Sequence, residues 1–119
     1  MKNNSIIKKS TEFDRIIHSE KSTKYKDYII YIEYNDSDNY HFGLSVGKKI
    51  GNAVTRNKVK RRLKSIIDKK HYKNGFNCII IVGKGILERT FEEMENNYNI
   101  AIKNLNIIKE DNEWKRKLY

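Results

Sequence analysis

The sequence predicts a compact α+β sandwich, with helices packed on a sheet, built as a single domain. Its 119 residues suit one domain and are too few for two. Helical and strand-like hydrophobic patterns follow one another in the order helix, two or three strands, helix, strand, helix. No proline, internal repeat or low-complexity linker marks a boundary. We therefore assign residues 1–119 to one domain and expect the charged residues 110–119 to form a flexible tail.

The N-terminal region predicts a short helix and then a charged segment. Apolar residues recur at helical spacing after the hydroxyls of Ser10 and Thr11, which suit a helix cap, so we expect a helix over about residues 11–19. The charged run 21–27 is typical of a loop, with a weak strand signal over 22–26 as the alternative.

Three further segments carry strand patterns. Residues 28–34 are β-branched and aromatic, residues 40–46 alternate polar with apolar, and residues 35–39 between them are turn formers. We expect the first two strands to pair as an antiparallel hairpin. The run 78–82 is apolar on both faces, which predicts a strand that is central or covered by a helix.

Two longer helices are predicted in the C-terminal half. From about residue 53 to 70 the apolar side chains form one helical face: Val59, Leu63, Ile66 and Ile67. Thr90 and Glu93 fit a capping box at the start of a last amphipathic helix.

The charge balance predicts a polyanionic partner. The formal net charge is +10 and the pI about 9.6, so nucleic acid or an anionic membrane is the expected partner. The single cysteine, Cys78, excludes an internal disulfide and a cysteine metal cluster, and its apolar surroundings indicate a buried small side chain. No apolar run of about 18 residues is present and the N-terminus lacks a signal-peptide pattern, so we expect a cytoplasmic protein.

The predicted helix over residues 53–70 concentrates this charge. Between Arg56 and Lys70 there are eight Lys or Arg residues against one acid. Four polar side chains cluster on the side away from the apolar face: Asn57, Lys60, Arg61 and Lys64. An ordinary solvated face is the alternative, but such faces intersperse acids to offset repulsion, and this one does not. Arg56 and Asn57 fall in the first turn, where free N–H groups favour phosphate.

The segment around this helix resembles a known family. Residues 43–61 read GLSVGKKIGNAVTRNKVKR and are similar to the signature of the bacterial ribonuclease P protein component. In that family a strand ending in Ser-Val-x-Lys-Lys precedes Gly-x-Ala-Val-x-Arg-Asn-Arg and a basic helix. The resemblance covers roughly residues 5–108, including the pattern formed by Lys8, Lys9 and Phe13 and the stretch 82–85.

The resemblance implies both a fold and a role. The implied fold is a mixed sheet of about four strands with three helices, like the second domain of ribosomal protein S5, with a left-handed βαβ crossover that reverses the usual preference. The implied role is that of the protein subunit of ribonuclease P, monomeric within the holoenzyme, which binds the catalytic RNA and helps it remove the 5′ leader of precursor tRNA. Mg²⁺ held by the RNA performs the chemistry, and the protein supplies no catalytic residue, metal ligand or cofactor.

The resemblance also implies two sets of contacts. The residues that face the catalytic RNA are Lys48, Lys49, Arg56, Asn57, Lys58, Lys60, Arg61 and Lys64. Those that bind the single-stranded leader are Phe13, Ile17 and Tyr31. Lys58 stands where the family usually has Arg, which keeps the charge without the bidentate fork, and Ile17 stands where a second aromatic is common. From pattern alone, Phe13 is more often a core anchor than a stacking residue, and the pattern does not decide which face of the strand carries Tyr31 to the core.

Other chemistry finds less support in the sequence. His18, His41 and His71 are scattered without further ligands at metal spacing. The acids from residue 88 to 95 open a helix, where they complement its dipole. Two alternatives remain, which are a non-catalytic RNA-binding module such as a ribosomal protein or RNA chaperone, and a protein nuclease acting alone.

Overall fold

A computed structural model describes residues 6–19 and 21–109. Within them the chain forms three α-helices and four strands, joined in places by short 3₁₀ turns. The order of the elements agrees with the prediction. The loop predicted over 21–27 is wrong, because Lys21–Tyr25 pairs with the next strand along the chain, and the alternative of a strand near 22–26 is confirmed. The elements are α1 Ser10–Ile17, β1 Lys21–Tyr25, β2 Tyr28–Tyr34, β3 Tyr40–Ser45, α2 Ala53–Asp68, β4 Phe76–Val82 and α3 Phe91–Ile102. The expected tail at 110–119 lies outside the described residues.

The sheet has the strand order β1-β2-β4-β3, so the predicted hairpin of β2 with β3 is wrong. β4 lies between them, antiparallel to β2 and parallel to β3. The turn residues cross the end of β4 instead: Asn35 N–H donates to the Gly75 carbonyl, and Gly75 N–H donates to the Asn39 carbonyl, both at 2.9 Å. A strand that is apolar on both faces is stabilised most in the centre of a sheet, and this preference outweighs the local turn.

The main core lies between one face of the sheet and the helices α2 and α3. Tyr28, Ile30 and Ile32 of β2 point into it and are buried. The phenol of Tyr28 donates to the Met94 carbonyl at 2.9 Å, which satisfies the hydroxyl inside the core. Burial of β2 on this side leaves its alternate residues, Tyr31 among them, on the opposite face.

The opposite face of the sheet carries α1 over a much smaller cluster. Ile7, Ile16 and Ile79 are buried there, and the half-buried members are Phe13, Ile17, Tyr31 and Ile81. The close approach of α1 depends on Gly43 of β3. A Cβ built at Gly43 would lie 2.8 Å from Phe13 Cζ and 2.7 Å from Ile79 Cδ1. The sheet is therefore covered on both faces, by α2 and α3 over the main core on one and by the single short helix α1 on the other.

The helix starts follow capping rules in two of three cases. Asn52 caps α2 by accepting the Thr55 N–H at 2.9 Å. The predicted capping box of α3 is confirmed, with Thr90 and Glu93 bonded reciprocally at 2.9 and 3.1 Å. The predicted cap of α1 is wrong, because the helix already begins at Ser10, and the capping position falls on Lys9 without a side-chain cap bond.

We expect Gly43→Ala to lower the free energy of unfolding by about 1–3 kcal/mol, because the added methyl overlaps Phe13 and Ile79 and forces repacking under α1. Urea denaturation followed by circular dichroism measures the change. Gly47→Ala is the matched control, since nothing lies within 4 Å of a Cβ at Gly47. Equal stabilities of the two variants would contradict the close packing of α1 on β3.

Candidate nucleic-acid interface

Helix α2 separates its apolar and cationic side chains as the sequence predicts. It buries Val59, Leu63, Ile66 and Ile67 against the sheet. Asn57, Lys58 and Arg61 are exposed on the other side, and Lys60 and Lys64 are half-buried along one border. The helix is thus anchored by one face, and the cations on its outer face are free to meet a partner.

Arg56 differs from the exposed cations of α2 in its burial. Its side chain is half-buried, and its Nε is shielded from solvent without a hydrogen-bond partner in the described part of the chain. A buried donor without an acceptor costs about 1–3 kcal/mol, more when it is charged. The start of α2 therefore contains a guanidinium donor that is unsatisfied within the described residues.

Lys48 and Lys49 lie in a 3₁₀ turn that precedes α2 and is anchored by buried Ile50. Lys49 lines a cavity of about 530 Å³ at one end of the sheet. Three lysines that sequence analysis missed share this cavity, namely Lys24, Lys26 and Lys84. They come from the β1–β2 hairpin and the segment after β4, so only the strand pairing brings them together and no local pattern could have found them.

A second cavity connects the basic helix with α1. It measures about 260 Å³, and its lining includes Phe13 together with Lys60 and Lys64. Lys8 of the N-terminal segment also lines it, beside Leu44 of β3. The two predicted sets of contacts are therefore parts of one continuous surface that runs from α2 across the edge of β3 to α1.

Phe13, Ile17 and Tyr31 lie together on the α1 face, each half-buried around Ile16 and Ile79. The sequence left open whether Phe13 anchors the core and on which face of the sheet Tyr31 lies. Phe13 packs against the sheet and retains exposed surface, so anchoring and stacking are compatible roles for it. Tyr31 is directed away from the main core, as a leader-binding role requires.

A chain of polar side chains on the same face was missed by sequence analysis. Arg15 of α1 donates Nε and Nη2 to the two carboxylate oxygens of Glu33, each at 3.0 Å. Asn77 donates its amide to the same carboxylate at 3.0 Å. Because the amide nitrogen of Asn77 donates to Glu33, the amide oxygen of Asn77 accepts a hydrogen bond from Nδ1 of His41 at 2.9 Å. Helix α1 is thus joined by side chains to β2, β4 and β3.

Opposing effects act on the ionisation of Glu33. Burial raises the pKa of its carboxyl, but hydrogen bonds from Asn77 and Arg15 and the charge of Arg15 outweigh burial and leave the pKa below its ordinary value. Glu33 is therefore ionised at neutral pH. The partners are separated by 18 and 44 positions in the sequence, so no short-range signal reveals the network.

Other groups offer little for catalysis in the described ranges. No set of three or more His, Cys, Asp or Glu side chains among residues 6–19 and 21–109 is placed to hold a metal ion. Burial raises the pKa of the Cys78 thiol, which keeps it neutral inside the core. Among these residues no helix has the length and apolar character needed to cross a membrane.

A mixed four-stranded sheet with a basic helix on one face and partly exposed aromatic rings on the other is the architecture of an α+β RNA-binding protein. Residues 1–106 match the family described as Ribonuclease P, and the chain belongs to that family.

Bacterial relatives align over most of their length. The ribonuclease P protein component of Mycoplasma mycoides is 40% identical over 108 residues, covering 88% of this chain and 99% of the relative. That of Mycoplasma capricolum is 44% identical over 91 residues, covering 74% and 84%.

Solved structures of ribonuclease P proteins have the same fold as this chain. The Staphylococcus aureus RNase P protein superposes with a TM-score of 0.79 at 29% identity, covering 88% of this chain and 98% of that one. The Thermotoga maritima protein shares the fold, with a TM-score of 0.69 at 23% identity over 77% of this chain and 90% of that one.

The chain is therefore a protein subunit of ribonuclease P, the ribonucleoprotein endoribonuclease of tRNA 5′ processing, and it acts with an RNA subunit. This membership confirms the family resemblance and the α+β fold class with three helices and four strands.

Proposed function

We propose that the protein binds the catalytic RNA through α2 and the single-stranded leader of precursor tRNA through the α1 face of the sheet. One monomer acts in each cytoplasmic holoenzyme. The RNA holds the Mg²⁺ ions and carries out cleavage, while the protein orients the substrate. The placement of the side chains supports this division, since the cations and the aromatic rings occupy adjoining parts of one surface.

The observation that carries the proposal is the uncompensated charge of α2. Helix α2 contains six Lys or Arg side chains and one acid. The ion pairs Arg15–Glu33, Lys69–Glu95 and Arg89–Asp27 do not involve Arg56, Lys58 or Arg61, so these three pairs leave the charge of those cations unchanged. Phosphates of a folded RNA would supply the counter-charge for these cations.

The proposed leader contact depends on two half-buried aromatic rings and on the lysines beside them. Bases of an unpaired strand stack on any aromatic face, at about 1–3 kcal/mol per base. Phe13 and Tyr31 offer such faces beside Ile17, which adds apolar surface without a ring. Lys60 and Lys64 share a cavity with Phe13, so a strand lying on the rings has cations beside its phosphates.

Precursor-tRNA cleavage at low Mg²⁺ tests the proposal. We expect the protein to stimulate cleavage when a bacterial ribonuclease P RNA is present and to cleave nothing by itself. Retained affinity for RNA without stimulation would favour a plain RNA-binding module, and cleavage by the protein alone would overturn the assignment of chemistry to the RNA.

We expect Arg61→Ala to reduce the salt dependence of binding to the catalytic RNA by about one counterion, because its contact is a phosphate. The slope of log affinity against log salt measures this. Lys103→Ala removes an exposed cation beyond the end of α3 and serves as the control, with no change in slope. An unchanged slope for Arg61→Ala would remove this residue from the interface.

We expect Phe13→Ala to weaken binding of leader-bearing precursor by about fivefold or more relative to mature tRNA, because a stacking face is lost. Phe13→Leu keeps apolar bulk under α1 without the ring, and it separates stacking from packing. If both substrates lose affinity equally in the two variants, Phe13 is a packing residue alone.

A further inference from the structure

Helix α1 needs more than apolar contacts to hold one position. It has eight residues, and Ile16 is the single one of them that is fully buried. Its buried neighbours are Ile7 and Ile79, whereas the main core on the other face has more than twenty buried members. A helix this short is marginal without tertiary support, so small forces decide its position over the sheet.

The polar network described above supplies a directional contact at this place. Arg15 meets Glu33 with two hydrogen bonds in the side-by-side geometry that fixes a guanidinium in one plane. The carboxylate of Glu33 is restrained, because Asn77 donates to it and Asn77 is itself bonded to His41. Arg15 therefore meets an acceptor whose orientation is set by three strands of the sheet.

We propose that the Arg15–Glu33 pair, held by Asn77 and His41, fixes α1 over the sheet and so sets where Phe13 stands for an unpaired RNA strand. This inference rests on the proposed leader contact. Arg15 and Glu33 are positioning residues. The pair also neutralises the carboxylate of Glu33, which lies on the same strand face as Tyr31 and would repel the phosphates of a leader if it stood alone.

A charge-reversal series separates positioning from general electrostatics. Arg15→Glu makes the protein more negative and Glu33→Arg makes it more positive, so simple attraction to RNA would weaken leader binding in the first variant and strengthen it in the second. Positioning predicts that both single variants weaken it, by about threefold to tenfold. The double exchange restores the ion pair but places a donor opposite the amide nitrogen of Asn77, so it recovers only part of the loss.

The chain offers a matched control in Lys69 and Glu95. This pair has a separation of 2.9 Å and side-chain exposures of 51% and 26%, against 3.0 Å, 57% and 27% for Arg15 and Glu33. It joins α2 to α3 and has no part in α1. The control variants are Lys69→Glu, Glu95→Lys and the double exchange, and each changes the net charge as its counterpart in the Arg15–Glu33 series does. We expect the ratio of affinities for leader-bearing precursor and mature tRNA to stay within about twofold of the wild type in all three.

Two measurements are made on each variant. The first is hydrogen exchange of the α1 backbone amides in the free protein, which reports docking of α1 without any RNA. The second is the ratio of dissociation constants for leader-bearing precursor and mature tRNA in the assembled ribonucleoprotein. We expect faster hydrogen exchange in α1 and a reduced leader preference in both single variants, and partial recovery of both quantities in the double variant.

The outcomes separate this inference from the proposed function. Unchanged α1 exchange in both single variants, or stronger leader binding by Glu33→Arg, overturns the positioning role even if the wild type prefers leader-bearing substrate. A wild-type holoenzyme with no leader preference overturns the leader contact instead, and the exchange rates then still show whether the pair docks α1.

Discussion

The burial of β4 on both faces is the constraint on which the rest of the structure depends. Cys78, Ile80 and Val82 complete the core under α2 and α3, while Ile79 and Ile81 support α1. A strand with no polar face is stable only in the centre of a covered sheet. Its central position separates β2 from β3, and it requires a helix on the side where the sheet meets the proposed substrate.

The distribution of charge follows from the same two-sided arrangement. Acids close to the sheet or α3 are used internally: Asp27 binds Arg89, Glu33 binds Arg15, and Glu93 caps its own helix. Helix α2 carries six Lys or Arg side chains against one acid, so a polyanion would relieve the repulsion among them. These three acids are thus satisfied within the protein, whereas the cations of α2 form the surface that we propose binds the catalytic RNA.

What the sequence predicts correctly here depends on local signals. The periodicity that defines α2, the Thr90–Glu93 capping box and the two-sided apolar pattern of β4 act within a few residues, and each is present in the structure. The pairing of β2 with β3 was predicted from the turn between them. This prediction was wrong, because β4 pairs with the edge of β2 that β3 was expected to occupy. The Arg15–Glu33–Asn77 network and the cavity of lysines beside Lys49 depend on that later pairing, so neither leaves a pattern in the sequence.

The position of β4 in the chain also has a consequence for biosynthesis. Among the described strands, β3 pairs along its length with β4 alone, and Ile79 of β4 is part of the cluster beneath α1. Helix α2 therefore leaves the ribosome while the strand that completes its support is still inside the exit tunnel. During that interval the nascent chain presents a positively charged segment without a finished scaffold, surrounded by ribosomal RNA. When β4 pairs with β2 and β3, the sheet is complete, and the basic segment becomes part of a folded surface.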